Sequence, residues 1–388
     1  MPKYCYFPIL KTRSSEIAAY DALENSVKDE ILPIIEMTGA LGYTYPKNYK
    51  VESLREKRRP GDICNKINKI LDLVEHRKFI LDITDDESLK YDGLSDRNGG
   101  LLDHTDGYKA WLDFLKKDSD FQRQVIPTIQ FNTSFRDDVE QQVKSLDATF
   151  DYIAIKLPAF LSGRTTLFDS GISFNTLVQR IIDWIVQHLT RAKLIVILDF
   201  GYIKEFAPYQ SLITTGLASI NDLSKVFALI PVSSSFPNFV ASVGQPIPSV
   251  ETDIFNCVKA EFLTTNKVYC GDYSSIHPTK YEMGGGGWIP RIDYIVRDNT
   301  GRPIEYNYFR GSKKNTSAEY VNLAKQVITA QDYFPITQLS TIGDQRILAK
   351  AANGTEGRAP SYWITVRSNI YMTTQYLYLK AQGSFLTL

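Results

Sequence analysis

Eight times along the chain a short apolar run ends in a single polar or charged residue, and runs three to eight each follow a stretch able to form a helix. The runs and their terminators are Tyr6 to Leu10 before Lys11, Leu32 to Ile35 before Glu36, Phe79 to Leu81 before Asp82, and Val125 to Ile129 before Gln130. They continue with Tyr152 to Ile155 before Lys156, Leu194 to Leu198 before Asp199, Val226 to Val232 before Ser233, and Lys267 to Gly271 before Asp272. Buried strands alternating with helical crossovers are what a (β/α)8 barrel requires, and such barrels carry their chemistry at the C-terminal ends of the strands. The expected architecture is therefore α/β, a TIM-barrel-like (β/α)8 unit over residues 1–282.

The pattern changes after the eighth run. Arg291 to Arg297 and Pro303 to Phe309 alternate around Asn299-Thr300-Gly301, which predicts a β-hairpin. Ser317 to Phe334 and Ser361 to Leu379 have helical spacing. Residues 283–388 are expected to pack on the barrel as a hairpin and helical extension of the same structural domain. A segment rich in Asp, Gly, Asn and Ser, residues 85–107, interrupts the alternation after the third run, where it would lie over the barrel mouth; loops this long act as lids, bind something or are mobile.

The chain has 388 residues, 43% of them hydrophobic, enough for a full core. Forty-four basic residues balance forty-four acidic ones, so no global field draws the protein to nucleic acid or an anionic membrane. The cluster Arg55, Lys57, Arg58 and Arg59 reads as a solvated loop rather than a nucleic-acid patch. Cys5, Cys64, Cys257 and Cys270 lack CxxC spacing and are expected as buried, reduced thiols. No leader pattern opens the sequence and no run approaches the roughly 20 apolar residues of a membrane span, so the expected setting is cytoplasmic, without membrane contact.

The strand-end groups are the chemical candidates. Lys11, Glu36, Asp82, Lys156, Asp199 and Asp272 would converge two cations and four carboxylates on one pocket, where charges beside low-dielectric walls are either paired or used. A ring of mutual salt bridges that merely satisfies the barrel ends is the competing reading. Glu36, Asp82, Asp199 and Asp272 could hold a hard cation such as magnesium, with Lys11, Lys156 and Arg291 neutralising a phosphate. That set fits metal-assisted cleavage of a phosphodiester or nucleotide. His277, five residues past Asp272, is a candidate acid or base. Gly284 to Gly287 could bring backbone amides to an anion but lack the rest of a phosphate-loop motif. Arg291, Tyr306 and Arg310 are expected to alternate outward on the hairpin and reach the same substrate pocket.

Phe7-Pro8-Ile9-Leu10-Lys11, Glu16, Leu32-Pro33-Ile34-Ile35-Glu36, Leu198-Asp199-Phe200-Gly201, Gly271-Asp272-Tyr273 and Trp363 together resemble the beta protein family of phages and bacteria. The resemblance spans nearly the whole chain. It implies a phage or anti-phage defence setting, with members encoded in phage genomes or beside mobile elements and defence genes, and it carries over Lys11, Glu16, Glu36, Asp199 and Asp272 as site residues. Many members have paired histidines where this chain reads Trp363-Ile364-Thr365-Val366-Arg367-Ser368-Asn369, a departure that weakens an enzymatic reading. Two functions stay open: a hydrolase of a phosphodiester or nucleotide, and a non-enzymatic sensor binding a phage protein or small ligand through the same mouth.

Overall fold

Each of the eight runs forms a strand, and the eight strands run parallel: β1 (Tyr6–Lys11), β2 (Ile34–Met37), β3 (Phe79–Ile83), β4 (Val125–Pro127), β5 (Tyr152–Pro158), β6 (Lys193–Tyr202), β7 (Val226–Ser234) and β8 (Cys270–Asp272). The computed structural model describes residues 2–39, 63, 65–90, 92–96, 99–130, 136–158, 174–217, 223–238, 246–262, 265–279, 288–314, 317–336 and 341–388. The strands form a five-stranded sheet in the order β8-β1-β2-β3-β4 and a three-stranded sheet β5-β6-β7. Isolated parallel bridges join the two sheets at both edges, Thr128 with Ala154 and Leu229 with Val268. Their hydrogen bonds are ordinary ones: Ile129 N donates to Ala154 O at 2.8 Å, and Tyr269 N to Leu229 O at 2.9 Å.

Side chains alternate along these strands because successive Cβ atoms point to opposite faces. One face buries Phe7, Ile9, Ile34, Ile80, Ile126, Ala154, Ile195, Ile197, Ala228, Ile230 and Val232 in a single apolar cluster. The other packs Leu10, Ile35, Leu81, Val125, Ile155, Val196 and Leu229 against helices. Both faces being apolar explains why the strands read as continuous hydrophobic runs. The last residues join the first cluster, since Leu386–Thr387 pairs antiparallel with Lys3–Tyr4 and inserts Leu386 and Leu388 beside Tyr4.

Helices connect the strands, among them Ser14–Asp21, Asn65–Val74, Arg136–Thr149, Phe174–Gln187, Ala207–Leu217 and Glu251–Glu261. The described part of the 85–107 segment is anchored: it contains the short 3-10 turns Glu87–Leu89 and Asp92–Leu94, Leu94, Leu101 and Leu102 are buried in the main core, and Leu89 is buried as well. Four leucines spread through a polar stretch gave it inward contacts that composition alone does not reveal.

The hairpin forms from β9 (Arg291–Arg297) and β10 (Pro303–Arg310), and Ile247–Pro248 adds a third antiparallel strand. The Asp298 carboxylate closes the turn by accepting from Thr300 N at 2.8 Å and Arg302 N at 3.1 Å. The hairpin shares a second core with helices Glu319–Thr329 and Ile342–Ala351 and with the start of the long C-terminal helix, Pro360–Gln382. That last helix is buried along most of its length. Its Asn369 donates to Ala19 O in the first helix at 3.0 Å, and its Gln375 to Thr252 Oγ1 in Glu251–Glu261 at 3.4 Å. It therefore fills the space between the helices that follow β1 and β7. Among the described residues no helix is long and apolar enough to cross a membrane.

Candidate functional site

Lys11, Glu36, Asp82, Lys156 and Asp199 each lie two residues beyond a member of the first apolar cluster: Ile9, Ile34, Ile80, Ala154 and Ile197 respectively. The two-residue period thus turns all five to that same face at the C-terminal ends of their strands. Lys11 Nζ donates to Glu36 Oε2 at 2.7 Å. Lys156 Nζ pairs with Asp82 Oδ2 at 2.7 Å, with Asp85 Oδ2 at 3.4 Å and with Glu36 Oε1 at 3.6 Å. Asp199 accepts from the Tyr273 hydroxyl at 2.5 Å and from Gly201 N at 2.9 Å.

Burial disfavours the charged form of every group here, and the neighbouring charges decide which way each one moves. It raises the Glu36 carboxyl, but the Lys11 and Lys156 cations outweigh it and hold the group down at about 2. Burial opposes the Lys156 charge, yet Asp82 and Glu36 carry its pKa well above the ordinary lysine value. Asp199 is pushed up, because burial exceeds the opposing pull of Lys156 and the Tyr273 hydrogen bond. Glu16, which accepts from Lys11 N at 2.7 Å, is raised by burial to about 7.

Asp272 belongs elsewhere. On β8 the inner parity falls to Gly271 and Tyr273, so Asp272 points to the opposite face and does not join the other four strand-end charges and Asp199's network. A Cβ on Gly271 would come within 2.7 Å of Val232 Cγ1 and 2.8 Å of Phe7 O, both in the inner layer. Gly271→Ala is accordingly expected to cost about 1–3 kcal/mol through overpacking, read as a lower midpoint in urea. Asp272 instead accepts from Tyr6 OH at 2.6 Å, Ser274 N at 2.7 Å and Tyr371 OH at 3.2 Å. Burial raises it to about 7, and the nearby Glu251, itself raised by burial, adds to the effect.

The remaining candidates separate. Asp82 joins the network and also accepts from Thr128 Oγ1 at 2.8 Å and Gln130 Nε2 at 3.2 Å. His277 is half-buried at the rim; its ring lies 4.7 Å from that of Tyr202, Thr279 N donates to its Nδ1 at 3.1 Å, and burial lowers its pKa. Tyr306 does not face outward: it is fully buried in the second core, 5.2 Å from the Phe236 ring, because helices cover that face of the hairpin. Arg310 is exposed, opposite Arg291 in the hairpin register. The Arg55 to Arg59 cluster, Cys64 and Gly284 to Gly287 lie outside the described residues. Cys5 and Cys270 are buried free thiols and Cys257 is a half-buried one; burial pushes Cys5 up to about 12.

The carboxylates do not fit magnesium. Glu36 gives one oxygen to Lys11 and the other to Asp85 N at 3.2 Å and to Lys156, and Asp82 is shared among Lys156, Thr128 and Gln130. Among the described residues no group of three His, Cys, Asp or Glu side chains is placed to hold a metal ion.

Sequence reasoning missed Tyr273, Gln130 and Lys66. Gln130 terminates a run, so its position was visible although its role was not. Lys66 arrives from a helix: its Nζ lies 3.0 Å from Thr12 Oγ1 and 3.2 Å from Gly39 O, tying the ends of β1 and β2, and burial lowers it to about 8.

The family model for Beta protein matches residues 6–376, nearly the whole chain. The chain belongs to the beta protein family. A phage member, Protein beta of Enterobacteria phage P4, is 25% identical over 387 residues, covering 96% of this chain and 93% of the relative. No solved structure matches. The beta family match includes every strand-end charge of the network, from Lys11 to Asp199, and most of the C-terminal helix.

Proposed function

We propose that the eight parallel strands close as a (β/α)8 barrel through the two bridges at their edges, and that this beta family protein recognises a small phosphate-bearing ligand at the barrel mouth. One observation carries the reading. The buried Lys11 ammonium has three N–H donors, while among the described residues its contacts are a single acceptor, Glu36 Oε2, and the Tyr273 ring 5.3 Å away. A buried ammonium with unused donors is suited to an oxyanion, and a phosphoryl oxygen supplies the missing acceptors. Recognition is favoured over hydrolysis because Glu36 and Asp82 are tied to lysines rather than free for acid or base work.

The hydrolase reading has one observation of its own. Among the described residues Asp199 has no direct ion-pair partner on the face of the network; it is raised by burial and joined to Tyr273, which is the character of a proton acceptor. The phage relative makes phage–host conflict the setting we infer for either activity, with a phage protein as the alternative occupant of the mouth.

Thermal melts of the full chain with inorganic phosphate and with mono-, di- and triphosphate nucleosides test this. A rise in Tm with at least one of them, lost in Lys11→Met, is expected without consumption of the nucleotide. Phosphate release that disappears in Asp199→Asn would replace recognition by hydrolysis. Unchanged melts across the panel would overturn phosphate recognition.

A further inference from the structure

We propose that Arg291 and Arg367 form a phosphoryl-binding clamp beside the mouth, separate from the Lys11 network. Both guanidinium groups are held by one carboxylate. Arg291 Nε lies 2.8 Å from Asp293 Oδ1, and Arg367 Nη1 donates to Asp293 Oδ2 at 2.6 Å. Arg367 also donates from Nε to Ser275 Oγ at 3.3 Å and lies over the Phe236 ring, 3.6 Å from its centroid, with Arg291 5.8 Å from the same ring. Among the described residues two cations and one anion meet here, leaving a surplus positive charge where the Arg367 and Asp293 side chains are only 4% and 5% exposed. A surplus buried charge is costly unless an ion of opposite sign reaches it. The Arg291 side chain is 28% exposed, which gives that ion a way in.

The position and chemistry agree on the ligand. Phe236 follows the end of β7 by two residues and Ser275 follows the end of β8 by three, and the loops after the seventh and eighth strands of a (β/α)8 barrel are frequent phosphate sites. Planar guanidinium forks match tetrahedral phosphoryl oxygens, and the Phe236 face keeps them flat and excludes water from one side. The backbone ties this clamp to the first site. Ser274 and Ser275 both adopt left-handed φ, 52° and 63°, a conformation that costs a serine energy. That turn sends Tyr273 to Asp199 and Ser275 to Arg367, so one strained segment contacts both charge clusters.

The clamp rests on the mouth reading for the location of the whole ligand, but the charge count stands apart from it. Calorimetric titration of the full chain with inorganic pyrophosphate, for the native protein, Arg291→Gln and Lys11→Met, separates the two. Arg291→Gln leaves Arg367 and Asp293 as a balanced pair, so the fold is retained, and affinity should fall about tenfold or more. Arg291→Lys, lacking the planar fork, should recover only part of it. Loss in Arg291→Gln with native affinity in Lys11→Met supports the clamp and removes the mouth site. Native affinity in Arg291→Gln overturns the clamp, and if Lys11→Met then loses binding the mouth site stands alone. Absence of pyrophosphate binding by the native chain overturns both.

Discussion

Glu36→Ala is expected to lower the unfolding free energy by about 3–5 kcal/mol, the range for removing one member of a buried ion pair. The substitution strands Lys11, whose side chain is 2% exposed and whose one carboxylate within ion-pair distance, among the described residues, is Glu36 at 2.7 Å. Lys156 is less affected because it keeps Asp82 at 2.7 Å. Urea denaturation at neutral pH reads the effect as a lower midpoint at unchanged slope. Asp199→Asn is the internal comparison: Gly201 N and the Tyr273 hydroxyl meet different oxygens of Asp199, so the amide oxygen keeps the Gly201 bond while its NH2 donates to the Tyr273 oxygen, and the expected loss stays within about 1.5 kcal/mol. Equal losses in the two variants would show that the Lys11–Glu36 pair does not stabilise the fold. Removing both charges, in Lys11→Met with Glu36→Leu, should recover much of the loss, since neither leaves an unpaired charge in the interior. The competing readings of the strand-end charges, pairing and use, thereby become separable: urea midpoints of these variants read the pairing, and melts with phosphate read the proposed use of the Lys11 donors.

The strands and their charged ends were legible because a run buried on both faces must end where the chain re-enters polar surroundings, and Lys11, Glu36, Asp82, Lys156 and Asp199 mark those ends. Which face a terminator takes was not legible from such runs, since strands apolar on both sides show no alternation. Asp272 illustrates the cost. Only the crowding of Gly271 against Phe7 O and Val232 reveals that β8 presents its glycine inward and its carboxylate outward. Tyr306 failed for a related reason: the alternation of the hairpin was read correctly, but what covers each face depends on helices more than ten residues away in sequence. Arg367 and Lys66 reach their partners from helices, and Arg367 meets Asp293 across 74 residues, a separation at which no local pattern operates.

Stability measured against pH should fall between about pH 4 and pH 7 and then level off, with Asp272 as a principal cause. Its carboxyl sits at about 7 in the folded chain, raised first by burial and then by Glu251, against an ordinary value of 3.8. Below that ordinary value the folded and unfolded chains are both protonated, and the contribution of the group is fully present. As pH rises toward 7 the unfolded chain releases this proton while the folded chain retains it, so stability is lost, by about 4 kcal/mol for a shift of about three units. The neutral form is the one the surroundings accept. Tyr6, Tyr371 and Ser274 N all face Asp272, Tyr306 and Cys270 lie near it, and Glu251 is the acid that adds to its rise, with no cation among the described residues hydrogen-bonded to Asp272. Glu36 has the opposite sign: held at about 2, it adds stability above its ordinary 4.5 that disappears only as pH falls toward 2. Its window therefore meets the upper one only near pH 4. Asp272→Asn keeps the size and an acceptor oxygen but cannot ionise, so its stability should exceed that of the native chain at pH 8 and converge with it near pH 4. Glu16, raised to about 7, leaves a residual slope of the same sign in the variant. Urea midpoints from pH 4 to pH 8 for the two proteins decide the matter: parallel profiles would mean that Asp272 does not bind its proton more tightly in the fold than in the unfolded chain.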